Sequence, residues 1–394
     1  MKIRYLTIAA ILTAAAGTAG GMTPQEAAEA ILSRNGDRLL AELTRNAKDE
    51  ETRSMANAPD PELEADYKVA PSGVDDKWGV GISYGIDWPG AYGARRKLAK
   101  AMRDANSTES EAVMYSRRME ILDEIMTYLY AERRLDMMRS VLASTDSIQV
   151  IAGKASRGGE LSRLDLSKIA IEQSRIESVI NGMETEAMTS VGNLKTLNGG
   201  ADCRALLGSI DKDWDITPVP SIEECLARTG RNPELAQAMS EYNVAGSNVS
   251  VAKAESLPGF SIGYSHEFEE GAHFNGASLG ISLPLFASRH KVKAAEAAMA
   301  AAEYNVTVTT DRIESQVKSL HEEVMALDKA LKTPSDIFRS TDYTSMLMKA
   351  YKGGELSLTE YLRELSWFYE AHMDYLSLQY ERERKANRLS LLCR

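Results

Sequence analysis

A six-residue phrase that occurs twice constrains this chain more than any other feature. Arg157–Ser162 reads RGGELS and Lys352–Ser357 reads KGGELS, so the two copies begin 195 residues apart. Pro89 and Pro284, which each end an alternating apolar segment, are separated by the same 195 residues. Two landmarks at one spacing indicate a tandem duplication, which predicts a fold built from two similar halves.

The duplication and the local patterns together predict the domain organisation. Each repeat is expected to contain short helices, a β-hairpin and a long helical hairpin, and a segment rich in glycine and proline is expected to join the repeats. Pro334 is expected to break or kink the second long helix. The predicted boundaries are a signal peptide at 1–21, repeat 1 at 22–198 with its β-hairpin at 62–88 and helical hairpin at 94–197, a linker at 199–220, and repeat 2 at 221–394 with its β-hairpin at 259–285 and helical hairpin at 287–391.

The N-terminus predicts export. Met1–Arg4 is basic, and the apolar run that follows it ends in small residues near Gly21. This pattern is typical of a secretory signal peptide; an uncleaved anchor is the alternative, although the run is short for a bilayer span. No other apolar run in the sequence reaches spanning length, so strands would have to make any membrane crossing. Export also makes Cys203 and Cys225 candidates for a disulfide, which their positions in the sequence cannot establish.

Charge and motif content exclude several functions. The net charge of −11 argues against a nucleic-acid partner, which would require clustered basic residues. The histidines lack the spacing of a zinc hydrolase, and the sequence has no glycine-rich phosphate loop or nucleophile elbow. We therefore predict no enzyme, no metal site and no cofactor.

Four segments alternate between apolar residues and small or polar residues. The clearest run from Trp78 to Trp88 and from Phe260 to Phe268, with aromatic residues at both ends of each segment. A period of two over this length predicts strands with one apolar face. Aromatic ends are typical of membrane barrels, where they mark the two interfaces. The alternative is a small sheet that covers the core of a soluble domain.

The helical segments are too long for a compact domain. The proline-free stretch 94–156 would extend for about 90 Å at 1.5 Å per residue. Four strands are too few for a membrane barrel, and an open sheet edge in lipid is costly, so the chain is expected to oligomerise. A dimer would supply eight strands and a trimer twelve; the residues alone leave both open.

In this order, the motifs resemble those of the TolC-type outer-membrane efflux channels over nearly all of the mature chain. The residues that carry the resemblance are Ser256–Phe260, Ile281–Phe286, Tyr351–Ser357 and Thr359–Leu362. The resemblance implies an α+β membrane protein: a trimeric, twelve-stranded outer-membrane barrel continued by a long antiparallel α-helical barrel in the periplasm. The short length is similar to that of the metal-efflux branch.

The resemblance also implies a function, partners and sites. The chain would be the exit duct of a tripartite efflux or type I secretion system for small molecules or metal ions, working with a periplasmic adaptor and an inner-membrane pump. The alternative is a periplasmic structural or adaptor-like coiled coil without a channel. The implied sites are adaptor-docking tips at Gly158, Gly159, Leu161, Ser162, Gly353, Gly354, Leu356 and Ser357, a periplasmic gate at Asp165, Glu360, Arg363 and Glu364, and membrane-interface aromatics at Trp78, Trp88, Phe260 and Phe268.

Overall fold

A computed structural model describes residues 21–393 except 70, 72–75, 160, 212–216, 270, 285–289 and 341. Apart from Gly21, the predicted signal peptide lies outside the described residues, as do part of the linker and the first residues of the second helical hairpin. None of the described helices combines the length and the apolar character that a membrane span requires.

The first repeat begins with capped helices. Thr23 and Glu26 form a reciprocal capping box, and Pro24 occupies the first helical position, where its missing N–H costs nothing. The third helix has 69 residues and is therefore about 100 Å long. The elements are α1 (Pro24–Leu32), α2 (Gly36–Ser54), β1 (Glu62–Lys68), β2 (Lys77–Ile86), α3 (Pro89–Arg157) and α4 (Arg163–Leu197).

The second repeat has the same order of elements after a short helix, α5 (Arg204–Leu207), in the linker. Ser221 caps its first helix by accepting a hydrogen bond from the backbone N–H of Glu224 at 3.3 Å. The elements are α6 (Ile222–Arg228), α7 (Pro233–Ala254), β3 (Gly259–Glu269), β4 (Ala272–Ser282), α8 (Lys291–Ser340), α9 (Tyr343–Lys352) and α10 (Leu358–Leu392).

The sequence predicts that Pro334 breaks or kinks the second long helix, and the predicted break is wrong. Helix α8 continues through Pro334 and ends at Ser340. The second long helix is interrupted after that point, because Asp342 caps a new helix, α9, by accepting a hydrogen bond from the backbone N–H of Ser345 at 3.2 Å. The interruption thus lies where Asp342 caps a new helix start and not at the proline.

The strands described form one antiparallel sheet in the order β1-β2-β3-β4. Its centre joins the two repeats, because β2 of the first pairs with β3 of the second from Trp78 opposite Phe268 to Ile86 opposite Phe260. Apolar residues are in register across all four strands, as in the row Leu63, Ile82, Tyr264 and Ala277. The predicted period of two therefore produces one mainly apolar face, interrupted by His266, His273 and Asn275 near the β3–β4 turn, and one face of mostly small and charged residues.

The helices pack around two main cores. One lies towards the Gly-Gly turns, where α3, α4, α9 and α10 bury Ile148, Ile169 and Tyr361; we call it the tip core. The other lies where α1 and α5 cross α3 and α4, and it buries Ile31 and Ile125. The amphipathic stripes of the long helices thus pack on one another, which long helices require for stability.

Candidate functional site

The two Gly-Gly pairs form the turns that join α3 to α4 and α9 to α10. Gly158 and Gly353 end their helices in the right-handed conformation, whereas Gly159 and Gly354 have φ of +82° and +77°. The Gly354 N–H donates to the Tyr351 carbonyl at 3.1 Å. Glycine adopts positive φ without steric cost, so the second glycine of each pair is the one that the turn requires.

Gly354→Ala is expected to destabilise its turn by about 1 kcal/mol, because alanine at positive φ is strained even where no neighbour lies within 4 Å. Gly354→Asn should retain most of the stability, since asparagine tolerates this conformation. Amide hydrogen exchange around residue 354 measures the effect. Faster exchange in the alanine variant alone is expected, and equal exchange in all three proteins would contradict the role of Gly354.

The other predicted tip residues divide into half-buried and exposed groups. Leu161 and Leu356 are half-buried and pack against the tip core, so their role includes packing. Ser162 and Ser357 are exposed N-caps of α4 and α10. Beside them Leu164 is 68% exposed. Sequence reasoning missed this apolar residue, because the equivalent position 195 residues later holds Thr359 rather than a second leucine.

Two of the predicted gate acids are helix caps. Glu360 accepts the backbone N–H of Ser357 at 2.8 Å, and its own N–H donates to the Ser357 hydroxyl at 3.3 Å. These hydrogen bonds lower the pKa of Glu360. Asp165 accepts the Ser162 hydroxyl at 2.7 Å and the Lys168 ammonium at 3.1 Å, and these hydrogen bonds lower its pKa. Both carboxylates are therefore held ionised at the starts of α4 and α10, where the helix dipole favours negative charge.

The third predicted gate acid, Glu364, lies one helical turn further along α10. Its carboxylate accepts the Tyr343 hydroxyl of α9 and the Arg363 guanidinium, each at 3.2 Å. Tyr343 thus connects the interruption of the second long helix to the start of α10. The Glu364 side chain remains 32% exposed and the Arg363 side chain 71%, so both can reach the surface.

Two contacts between α4 and α10 were not predicted. The Lys168 ammonium donates to the Thr359 hydroxyl at 3.1 Å, and the Arg175 guanidinium donates to the Ser366 hydroxyl at 2.9 Å. Arg175 also lies over the Tyr369 ring, 5.1 Å from its centroid. Both pairs are separated by 191 residues and lie seven residues apart along each helix, so they repeat at two turns of one helix interface. We call these two contacts the α4–α10 clasp.

Tyr361 anchors the base of the tip. Its side chain is fully buried and packs on Tyr351, with 5.5 Å between the ring centroids. Burial raises the pKa of Tyr361 to about 12, so the phenol stays neutral. The α4–α10 clasp and the N-cap of α10 therefore lie beside this aromatic pair.

The four predicted interface aromatics form two pairs at opposite ends of the β2–β3 pairing. Trp78 stacks with Phe268 at 6.2 Å between ring centroids, and Trp88 stacks with Phe260 at 6.3 Å. The eight residue steps from Trp78 to Ile86 correspond to about 27 Å of strand. This separation is close to the apolar height of about 25 Å in outer-membrane barrels.

The opposite face of the sheet carries mostly small and charged side chains, among them Lys77, which pairs with Glu267 and Glu269. Glycine and serine alternate across β2, β3 and β4, as in the row Ser83, Gly263 and Ser278. A Cβ on Gly263 would lie 2.6 Å from the Ser278 hydroxyl, so a larger residue there would displace this serine. The first strand adds Glu62, Glu64, Asp66 and Lys68 to the same face, where Lys68 pairs with Asp66 at 3.5 Å. If this face lined a duct, its small side chains would leave the passage open. Its carboxylates would favour the passage of cations.

The candidate disulfide between Cys203 and Cys225 is not supported. All three cysteines are unbridged, and they occupy different clusters. Cys203 packs with α1, α3 and α5, whereas Cys225 packs with Cys393 beside α8. The described residues also contain no group of three or more histidine, cysteine, aspartate or glutamate side chains placed to hold a metal ion.

The second half of the chain matches a known protein family. Residues 228–393 match the family described as "Outer membrane efflux protein". This match covers α7, the β3–β4 hairpin and the helices α8 to α10. A comparison with curated protein sequences returns no match.

Solved structures match nearly the whole chain in fold. A structure of CusC aligns with a TM-score of 0.70 and 15% identity, covering 96% of this chain and 95% of that one. The Campylobacter jejuni CmeC outer membrane channel gives 0.72 and 16%, covering 94% and 85%. The open state of the Neisseria gonorrhoeae MtrE outer membrane channel gives 0.73 and 18%, covering 94% and 88%. The TM-scores and the coverage show a shared fold.

Proposed function

We propose that this chain, whose residues 228–393 match the outer membrane efflux protein family, works as a homotrimer that forms the exit duct of a tripartite pump. It would act as an outer-membrane efflux channel rather than as an enzyme, which the family match and the shared fold support. The energy for transport would come from an inner-membrane pump, and a periplasmic adaptor would join that pump to the tips. The cargo would be small molecules or metal ions.

The observation that carries this proposal is the uncovered apolar face of the sheet. Leu63, Ile82 and Tyr264 form one cross-strand row and are 82%, 48% and 53% exposed. A soluble domain would bury such a face against its core, because exposed apolar surface costs about 25 cal/mol per Å². Lipid removes this cost. The location of the stacked aromatic pairs at the two ends of the face agrees with a bilayer of ordinary thickness.

The sheet edges support the proposed trimer. In one chain β1 pairs with β2 and β4 pairs with β3, which leaves the outer edges of β1 and β4 available. Each unsatisfied backbone group in lipid costs several kcal/mol, so these edges must pair with other copies. Pairing β4 of one copy with β1 of the next would close twelve strands in a trimer. The face of small and charged residues would then line the duct.

We assign the periplasmic gate to the start of α10 and its contacts with α4 and α9. The α4–α10 clasp holds α10 against α4, while Glu364 holds it against Tyr343. The half-buried Glu364 and the exposed Arg363 are charged groups that three-fold symmetry would place around a mouth. Asp165 and Glu360 would contribute by fixing the helix starts. Opening would require α10 to move away from α4, which breaks the clasp.

The gate proposal predicts that Lys168→Ala/Arg175→Ala opens the channel. The double variant removes both contacts of the clasp, so α10 should move more freely and single-channel conductance in a planar bilayer should rise. Arg139→Ala is the matched control, because Arg139 pairs with Glu184 at 2.9 Å between α3 and α4 and leaves α10 untouched. Unchanged conductance in the double variant, or an equal rise in the control, would contradict the assignment.

The docking proposal concerns the exposed surface of the two turns. Glycine backbone at the turns allows a partner to approach closely, and Leu164 supplies an apolar contact beside them. We propose that the adaptor binds this surface at Gly158, Gly159, Ser162, Gly353, Gly354 and Ser357. The Gly354→Ala variant should also retain less adaptor during co-purification than Gly354→Asn.

A further inference from the structure

Two buried cysteines lie together at the end of α10 that is furthest from the proposed gate. Cys225 of α6 is 0% exposed, and Cys393, which ends α10, is 2% exposed. Both belong to one apolar cluster with Val317 of α8 and Leu389 of α10. The amphipathic packing of three helices thus brings together two thiols that are far apart in the sequence.

The two thiols belong to the same buried cluster between α6, α8 and α10. Burial raises the pKa of the Cys393 thiol, and the neighbouring Cys225 raises it further. Such thiols are poor nucleophiles in the folded chain, because the thiolate is the reactive form. Any oxidation of this pair would therefore happen before the cluster closes, while the chain is folding.

The periplasm supplies the oxidising conditions that disulfide formation requires. An outer-membrane protein crosses the periplasm, which is kept oxidising, and neighbouring cysteines in exported proteins form disulfides there. Oxidation of the two cysteines requires that the chain is exported, but it requires neither the trimer nor the gate. Cys203, in its separate cluster, has no comparable partner among the described residues.

We propose that Cys225 and Cys393 form a disulfide in the mature protein. One chain thiolate attacks the disulfide of a periplasmic thiol–disulfide oxidase and forms a mixed disulfide. The second chain thiolate then attacks the chain sulfur of that mixed disulfide and releases the oxidase as a dithiol. The chain loses two electrons and two protons, and the oxidase disulfide gains them, so the exchange balances.

The bond would fasten the end of α10 to α6, the first helix of the second repeat. It would close a ring that contains α7, the β3–β4 hairpin, α8 and α9. Closing a long loop restricts the unfolded chain, which stabilises the folded one. It would also fix one end of α10 while the other end moves at the gate.

A thiol count in isolated outer membranes tests this proposal. Cells are quenched in acid, and free thiols are alkylated in denaturant without reductant before the intact mass is measured. We expect one alkylated cysteine per chain, Cys203, and three after reduction. Cys225→Ser and Cys393→Ser should each show two before reduction, and Cys203→Ser should show none. Three alkylated cysteines in the unreduced wild-type protein would overturn the proposal.

Peptide mapping identifies the partners. After tryptic cleavage the three cysteines lie in separate peptides, 196–204, 213–228 and 389–394. A link between 213–228 and 389–394 supports the bond, and a link between 196–204 and 213–228 overturns it. Three free thiols in outer-membrane protein would leave the channel function intact. A Cys225–Cys393 bond in protein that fractionates with the soluble periplasm would support the bond and contradict the channel.

Discussion

Arg382→Ala is expected to lower the free energy of unfolding by about 3–5 kcal/mol, because it leaves a buried carboxylate without its counter-ion. The Arg382 and Glu383 side chains are 3% and 4% exposed and lie 2.8 Å apart. The Arg382 guanidinium also donates to Asp328 at 2.7 Å and to the Thr217 carbonyl at 2.8 Å. Thr217 in turn donates to Glu383 at 2.7 Å, so the network joins the linker to α8 and α10.

The neighbouring Arg384→Ala is the matched control on the same helix. Arg384 pairs with Asp123 at 2.9 Å, but the two side chains are 48% and 41% exposed. Exposed pairs contribute about 0–1 kcal/mol, so this variant should unfold close to the wild-type protein. Denaturant unfolding followed by circular dichroism measures both in detergent. Equal losses for the two variants would show that burial of the Arg382 network does not determine its contribution.

Ile82→Arg should destabilise the membrane-inserted form by about 2–4 kcal/mol per chain, the cost of an arginine on the lipid face near the bilayer centre. Ile82 lies midway between Trp78 and Ile86 and in the same cross-strand row as Tyr264. Three copies would multiply the loss, so little assembled protein should remain in outer-membrane fractions.

Ser83→Arg is the matched control, because it adds the same charge one residue away on the opposite face, in register with Gly263. An aqueous duct tolerates this charge, so we expect near-normal amounts of assembled protein and a changed ion selectivity. If Ser83→Arg were lost from the membrane and Ile82→Arg retained, the assignment of the two faces would be reversed. If both were retained, the sheet would not lie in lipid.

The repeating patterns of the sequence predict the fold well because they have local physical causes. The period of two in β2 and β3 places Trp78 and Phe268 on the same face, as a pleated strand requires. The Gly-Gly phrase predicts the helical turns, because only glycine adopts the conformation of Gly159 and Gly354 cheaply. These features depend on neighbours in the sequence, and the duplication repeats them.

The contacts of the proposed gate could not be predicted from local patterns, because they depend on how separate helices align. The Ser-x-x-Glu pattern at Ser357 and Glu360 is the same cap signature as at Thr23 and Glu26, and it could have identified Glu360 as a capping residue. The Lys168–Thr359 contact has no such local signature, since its geometry is set by the packing of α4 on α10. The cluster that contains Cys225 and Cys393 likewise forms only when α6 and α10 pack together.

The most direct test of the channel is the mass of the complex extracted from outer membranes. Native mass spectrometry in detergent counts the chains in one particle without assuming a shape. Three chains are predicted, because three four-stranded sheets would close the twelve-stranded barrel and satisfy the edges of β1 and β4. A particle of two chains would contradict the trimer and imply eight strands. A single chain recovered from the soluble periplasmic fraction would contradict the channel itself.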